Sequence, residues 1–392
     1  MIMDLLDFTY FIFILVVIIL ILFPATYLSM NGQTLNLIQQ RSVWKDLRIL
    51  IPCILYAVIL GFRYNYAFDW EQYRYTFEFL KNGHLYRETT EKGYLALNYL
   101  LIQLGFNYYS IFVFEGFLWI FSIAYILKDN RKALILGWAI TFLLMRFDIL
   151  NLSRQFLAIS ILLIAFALLL EGKDKKFWIF SIIAGSIHST AIVCIIPFFL
   201  LSKLVVPKKN ISIYIYVLIY LLFIFIAEFL MSYLFDVMGY LGENVFQDKA
   251  AYTVDFLQED KFSRKEHFTL VRYLIAAVKD FTYISFFLWL CKRNVLNRKM
   301  YVILLIGLLS IYFQIVFVGN ELTARFNYYF RTFYGIGWGI IFAYFLSYFR
   351  YIPIYLKWGL FIVILHIFYV SFSSISYEFT EFKTFLMYDL YL

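Results

Sequence analysis

A few ionisable side chains, set among long apolar runs, carry the chemistry available to this sequence. Arg154-Gln155 opens one such run, three residues after Asn151. A guanidinium at the start of a helix, beside its free backbone N–H groups, can grip a phosphate-like anion. Arg63 closes an earlier run, and Arg325 and Arg331 stand in a late basic-aromatic segment that also holds Tyr328. Arg63 is within reach of the lipid head-group layer, and Arg325 and Arg331 are candidate contacts for a diphosphate, though their offset puts them on different faces of a helix. His188 lies between two apolar stretches, and an imidazole there can act as a base near neutral pH. Asp69 and Glu91 stand in the first mixed-charge segment. Against these readings stand plainer ones: a solvated loop for the carboxylates, snorkelling to lipid for an arginine such as Arg146, and a satisfied core histidine.

The elements that must position these groups follow from composition. Of 392 residues, 63% are hydrophobic and only 15% charged, with a mean hydropathy of +0.78. Soluble domains carry about 25% charged residues. The sequence therefore predicts an all-α, polytopic integral membrane protein, read as a single domain over residues 1–392. The acidic start, MIMDLLDF, reads as the end of a first membrane helix rather than a signal peptide. The net charge of +8 could suggest nucleic acid, but in a membrane protein basic excess marks cytoplasmic loops. No nucleic-acid partner is expected. Cys53, Cys194 and Cys291 stand singly and give no disulfide or zinc pattern. With no metal-ligand spacing either, neither metal nor cofactor is expected.

Basic clusters at 41–48, 128–132, 173–176, 203–209 and 292–299 orient the chain, and mixed-charge segments mark the opposite, outer face. Two of these outer segments are long: loop 63–92 and the large loop 236–268. Because 173–176 and 203–209 fall on one side, the stretch 177–202 should enter and leave by the same face. A re-entrant hairpin with its tip near Gly185–Thr190 satisfies this, the rival being a single tilted crossing that would put 292–299 outside, and an interfacial helix over 93–104 satisfies the same parity. The expectation is about ten full transmembrane helices plus these two partial elements, with both termini outside.

Other residues receive structural readings. Glu115, and Asp280 beside Lys279, lie within spans and are expected in internal ion pairs or polar packing. Gly335-Ile-Gly337-Trp-Gly339 lacks the strand–turn–helix context of a nucleotide motif and reads as close helix packing. Tyr64, Tyr66, Trp70, Tyr73 and Tyr75 fit a membrane interface or stacking on sugar rings equally well.

Taken in order, the motifs resemble the EpsG family. The first-loop pattern is Arg63, Asp69 and Tyr73, then Glu91-x-Gly93-Tyr94 with Asn98. The central pattern is Asn151-x-x-Arg154-Gln155-x-x-Ala158, followed by His188-Ser189-x-Ala191, and the late one is Arg325 with its following tyrosines. The glycine expected two residues before Asp69 is Ala67 here. The resemblance implies a Wzy-type polymerase of lipid-linked oligosaccharide repeat units. Such an enzyme transfers the growing glycan from undecaprenyl diphosphate to the non-reducing end of another lipid-linked unit. On that basis His188, Glu91 and Asp69 are the catalytic candidates. Arg63, Arg154, Arg325 and Arg331 would bind diphosphate, and Tyr73, Tyr94, Asn98, Gln155 and Tyr328 would contact substrate. The expected partners are undecaprenyl-diphosphate-linked oligosaccharides and membrane lipid, with a chain-length regulator as an optional one. The expected location is the bacterial cell membrane, with the site facing outside. The rival readings are another polyprenyl-dependent glycosyltransferase, an O-antigen ligase, or a lipid-linked oligosaccharide flippase.

Overall fold

The computed structural model describes residues 46–62, 69–87, 90–205, 212, 214–226, 229, 270–317 and 321–379. Arg63, the loop 236–268 and the apolar run 8–29 lie outside the described residues. Helices account for nearly all that is described, and no strand occurs there. The helices are α1 (Leu47–Gly61), α2 (Trp70–Lys81), α3 (Lys92–Gln103), α4 (Tyr109–Leu127), α5 (Arg131–Asn151) and α6 (Ser153–Leu170). They continue as α7 (Asp174–Ile187), α8 (Thr190–Ser202), α9 (Tyr214–Ile226), α10 (Leu270–Lys292), α11 (Arg298–Phe317), α12 (Glu321–Tyr348) and α13 (Ile354–Phe379). Helices are what so apolar a chain must form, because each backbone polar group is then satisfied within its own segment.

Four segments are long and apolar enough to cross a membrane: Tyr109–Leu127, Ser153–Leu170, Arg298–Val316 and Arg325–Tyr351. Shorter apolar helices occur at Ile49–Gly61, Thr190–Ser202, Tyr214–Ile226 and Ile354–Ile367. The architecture is that of an all-helical membrane protein. Its contacts divide into two compact units, one built on α1–α8 with residues 338–347, the other on residues 204–337 with 348–366.

In the first unit α6 is the centre. Its sequence is apolar all round, and such a helix is buried on every side. It packs on α4, α5, α7 and α8. Small residues bring other helices close. A Cβ on Gly116 of α4 would lie 3.3 Å from the Ala57 Cα of α1, and one on Gly339 would lie 2.4 Å from the Gly137 Cα. These contacts fit the small-residue reading of the 335–339 glycines.

Between α6 and α7 the chain turns through Gly172, whose φ of +76° suits glycine. The Lys173 N–H bonds the Leu168 carbonyl and the Gly172 N–H bonds that of Leu169, which together form a Schellman cap. After it, α7 and α8 fold back on one another. Phe177 and Trp178, early in α7, pack on Phe199, late in α8, with ring centroids 6.1 and 5.4 Å apart. Lys203 Nζ lies 3.4 Å from Asp174 Oδ2 and joins the two ends. The reversal falls at His188 and Ser189. Each arm is about 20 Å long, short of a hydrocarbon core of about 30 Å. Ile179, Ile182, Ile192, Val193, Ile196 and Leu200 are exposed on the arms, an apolar surface suited to lipid.

Candidate functional site

The first unit gathers side chains from distant parts of the chain around the start of α6. Arg154 is the second residue of α6, where the preceding turn at Leu152 ends α5 and redirects the backbone. Its Nη1 donates to Glu91 Oε2 at 2.6 Å. Glu91 immediately precedes α3 and has extended backbone angles (φ −60°, ψ 134°), so its side chain leaves the helix start towards α6. The other carboxylate oxygen, Oε1, lies 3.1 Å from His188 Nδ1. A carboxylate can only accept, so Nδ1 is the donor in this contact. His188 occupies the hairpin reversal with extended backbone (φ −148°, ψ 117°). Glu91 thus ties an arginine to a histidine, and its own side chain is only 10% exposed.

Tyrosines wall this trio. The Arg154 guanidinium sits 5.9 Å from the Tyr94 ring centroid, a cation–π distance. Tyr73, on α2, packs edge-on against Tyr94 and donates its hydroxyl to the Asn151 carbonyl at 3.3 Å. Burial is the main influence on both phenols. It pushes the Tyr73 hydroxyl up to about 12 and that of Tyr94 higher still. Both remain neutral hydrogen-bonding groups at physiological pH. Asn98, one turn beyond Tyr94, is fully buried and donates to the Tyr94 carbonyl at 2.8 Å. Gln155 is buried next to Arg154. Asp69 precedes α2, accepts a 3.4 Å bond from Gln72, and is near enough to act electrostatically on Tyr73. At the hairpin tip, a Cβ on Gly93 would come within 2.6 Å of the Ser186 carbonyl carbon and oxygen, so α3 and α7 meet backbone to backbone.

Asp69, Tyr73, Glu91, Tyr94, Asn98, Arg154, Gln155 and His188 are therefore brought together in one unit. Arg325, Tyr328 and Arg331 all lie on α12 in the other unit, where the Arg331 guanidinium stands 5.7 Å from the Tyr328 ring centroid.

One reading of the sequence changes here. Trp70 cannot stack on a sugar: it is 1% exposed, packed between Tyr108 and Phe112. Glu115 makes a polar packing contact, one of the two expected of it. It is buried on α4, accepts a hydrogen bond from the Ser153 hydroxyl at the start of α6, and its charge reaches Tyr73 and Tyr94. An acid inside a 19-residue apolar helix was the signal for it. Ser153, which contributes a hydroxyl, carried none; Asn151, which contributes a backbone carbonyl, stands in the central motif. Among the described residues, no three His, Cys, Asp or Glu side chains are grouped to hold a metal ion.

The EpsG family model matches residues 47–388, nearly the whole chain and every part of this site. The chain belongs to the EpsG family. Neither a curated protein nor a solved structure matches it. For this EpsG-family chain, the match spans both the Glu91–Arg154–His188 trio and the α12 arginines.

Proposed function

We propose that this protein is a glycosyltransferase that polymerises lipid-linked oligosaccharide repeat units. It transfers the growing glycan from undecaprenyl diphosphate to the non-reducing end of another lipid-linked unit, at the outer leaflet. Family membership supports a polysaccharide polymerase. The observation that carries the reading is the bridge from Arg154 through Glu91 to His188.

In this reading the acceptor hydroxyl gives its proton to His188 Nε2, while Glu91 fixes the ring and stabilises the imidazolium that forms. The acceptor oxygen bonds to the anomeric carbon as the bond from that carbon to the diphosphate breaks. Arg154, with the N–H groups at the start of α6, takes up charge on the departing diphosphate. Arg63, Arg325 and Arg331 are further diphosphate contacts in the proposal. Tyr73, Tyr94, Asn98 and Gln155 shape the substrate site around the trio, Tyr328 is a substrate contact of the other unit, and Asp69 is the remaining carboxylate base.

The membrane arrangement that suits this chemistry has about ten crossings, α7–α8 as a re-entrant hairpin and α3 along the outer interface. It brings His188 and Glu91 to the depth of a lipid head group. The test is a cell-surface glycan profile after Arg154→Gln or His188→Ala. Loss of long chains with single repeat units still reaching the surface is the expected result. Accumulation of lipid-linked units on the cytoplasmic side would overturn the proposal in favour of a flippase. A reporter fused after Lys203 should sit on the cytoplasmic side; an external signal would sink the hairpin.

A further inference from the structure

One side of α2 supplies Tyr73 to the candidate site, and the other side carries a separate cluster of rings. Trp70, Tyr73 and Phe77 are buried, at the spacing of a helix whose apolar stripe faces the core. Tyr75 and Phe79, one turn apart, fall on the opposite side and are 38% and 44% exposed. After α2 the chain reverses at Gly83, whose φ is +80°. The His84 N–H bonds the Phe79 carbonyl and the Gly83 N–H bonds that of Leu80, a second Schellman cap. The turn lays Tyr86 and Arg87 back along the exposed side of α2.

The Tyr86 ring centroid lies 5.6 Å from that of Tyr75 and 5.4 Å from that of Phe79. The Arg87 guanidinium stands 5.4 Å from the Tyr86 centroid, and its Nη1 donates to Gln72 Oε1 at 3.0 Å. Gln72 donates in turn to Asp69, whose charge acts on Tyr73, so the cluster is continuous with the candidate site. An interfacial helix on anionic lipid carries Lys and Arg on its polar face, whereas Glu71 and Glu78 stand one turn to either side of Tyr75. The core side of α2 is already taken up by protein, and the rings that remain are set beside an amide and a guanidinium. Ring faces for C–H groups, next to fixed donors and acceptors for hydroxyls, suit a pyranose chain. Tyrosine rings offer such contact area at little cost in side-chain order.

We propose that Tyr75, Phe79, Tyr86 and Arg87 form a saccharide-binding ledge, which holds pyranose units of the growing glycan away from the reacting bond. It rests on the reading above that a glycan chain is the substrate, and it adds a place where that chain is retained between additions. Tyr86, which meets both other rings and the guanidinium, defines it.

The test uses the full-length protein in detergent, with Tyr86→Ala, Tyr86→Phe and Tyr75→Ser variants. The probe is a set of oligosaccharides several repeat units long, released by mild acid from the surface glycan of the producing cells, and phosphatidylglycerol micelles serve as the comparison. Saturation-transfer NMR and a binding isotherm read the contact. Wild type should bind the oligosaccharides, and Y86A and Y75S should each bind them roughly fivefold or more weakly, the scale of one lost ring contact. Y86F keeps the ring and should keep most of the affinity. Y75S, at a largely exposed position, should melt close to wild type and serves if Y86A folds poorly. Cells carrying either weakened variant should display shorter chains. Oligosaccharide binding that both substitutions leave unchanged would overturn the ledge. So would wild-type protein that binds only the micelles and loses them in Y86A, which would mark the rings as a lipid contact. Arg154→Gln, assayed in parallel for polymer, separates the two proposals. If R154Q abolishes polymer while Y86A and Y75S bind as wild type does, only the ledge falls. If R154Q leaves polymer intact while Y86A loses the oligosaccharide, the ledge stands and the chemistry assigned to Arg154 falls.

Discussion

Glu91 Oε2 lies 2.6 Å from Arg154 Nη1 across 63 residues of sequence, and its other oxygen reaches His188 across 97. One carboxylate therefore sets the position of both a candidate anion-binding cation and a candidate base. Glu91→Gln keeps the shape but removes the charge that serves both. It should cut polymer yield by roughly tenfold or more, the scale of one charge-assisted hydrogen bond. A surface-glycan gel with wild-type protein levels checks this; unchanged long chains would refute it.

Arg154→Lys separates charge from geometry. Lysine retains the charge but lacks the planar fork that can hold Glu91 and a second anion together. Expression should match wild type while chain extension falls, and activity should not be recovered by raising substrate. Full activity in this variant would mean that charge alone suffices.

Tyr73 gives an alkaline signature. Burial raises its hydroxyl to about 12 from an ordinary 10.0, so the folded protein keeps a proton that the unfolded chain releases first. Its contribution is fully present below pH 10 and fades as pH rises towards 12. Melting curves of wild type should fall across that window, and Tyr73→Phe should flatten part of the fall.

Glu171 gives an acid one. Partial burial works against its charge, but hydrogen bonds from Lys128 and Lys173 outweigh that and hold its carboxyl below the ordinary 4.5. The ties join the ends of α4 and α6 to the start of α7. Their contribution is present above pH 4.5 and is lost as pH drops through the lowered value. Glu171→Gln should cost about 0.2–1 kcal/mol at neutral pH, since the pair is partly solvated. The difference from wild type should close in acid; a difference that persists would implicate packing instead.

Much of the helical framework was legible because its signals are local. The apolar stretch 177–202 announced helix, and it forms α7 and α8, which fold back on one another at His188. The apolar run after Arg154 announced α6. Whether a given aromatic faces substrate or core was not legible. Trp70 reads equally as an interface anchor or a sugar platform until Tyr108 and Phe112, some forty residues away, are seen to enclose it. Likewise, nothing near Glu115 in the sequence points to Ser153, 38 residues on. Asp280 was expected in an ion pair or polar packing, and its two tyrosine contacts make it the latter.

The contact between Gly93 and Ser186 sets a tolerance on what mutation can do here. A methyl group at residue 93 would collide with backbone as well as with a side chain, so trimming Ser186 offers no remedy. Gly93→Ala should lower stability by about 1–3 kcal/mol, measurable as a reduced melting temperature, and Ser186→Ala should not restore it. Since Glu91 and His188 sit two residues from either side of that contact, the gap between them is gauged by main chain against main chain. In a library that randomises both segments, survivors should diverge freely on the lipid-facing arms while position 93 admits a single letter.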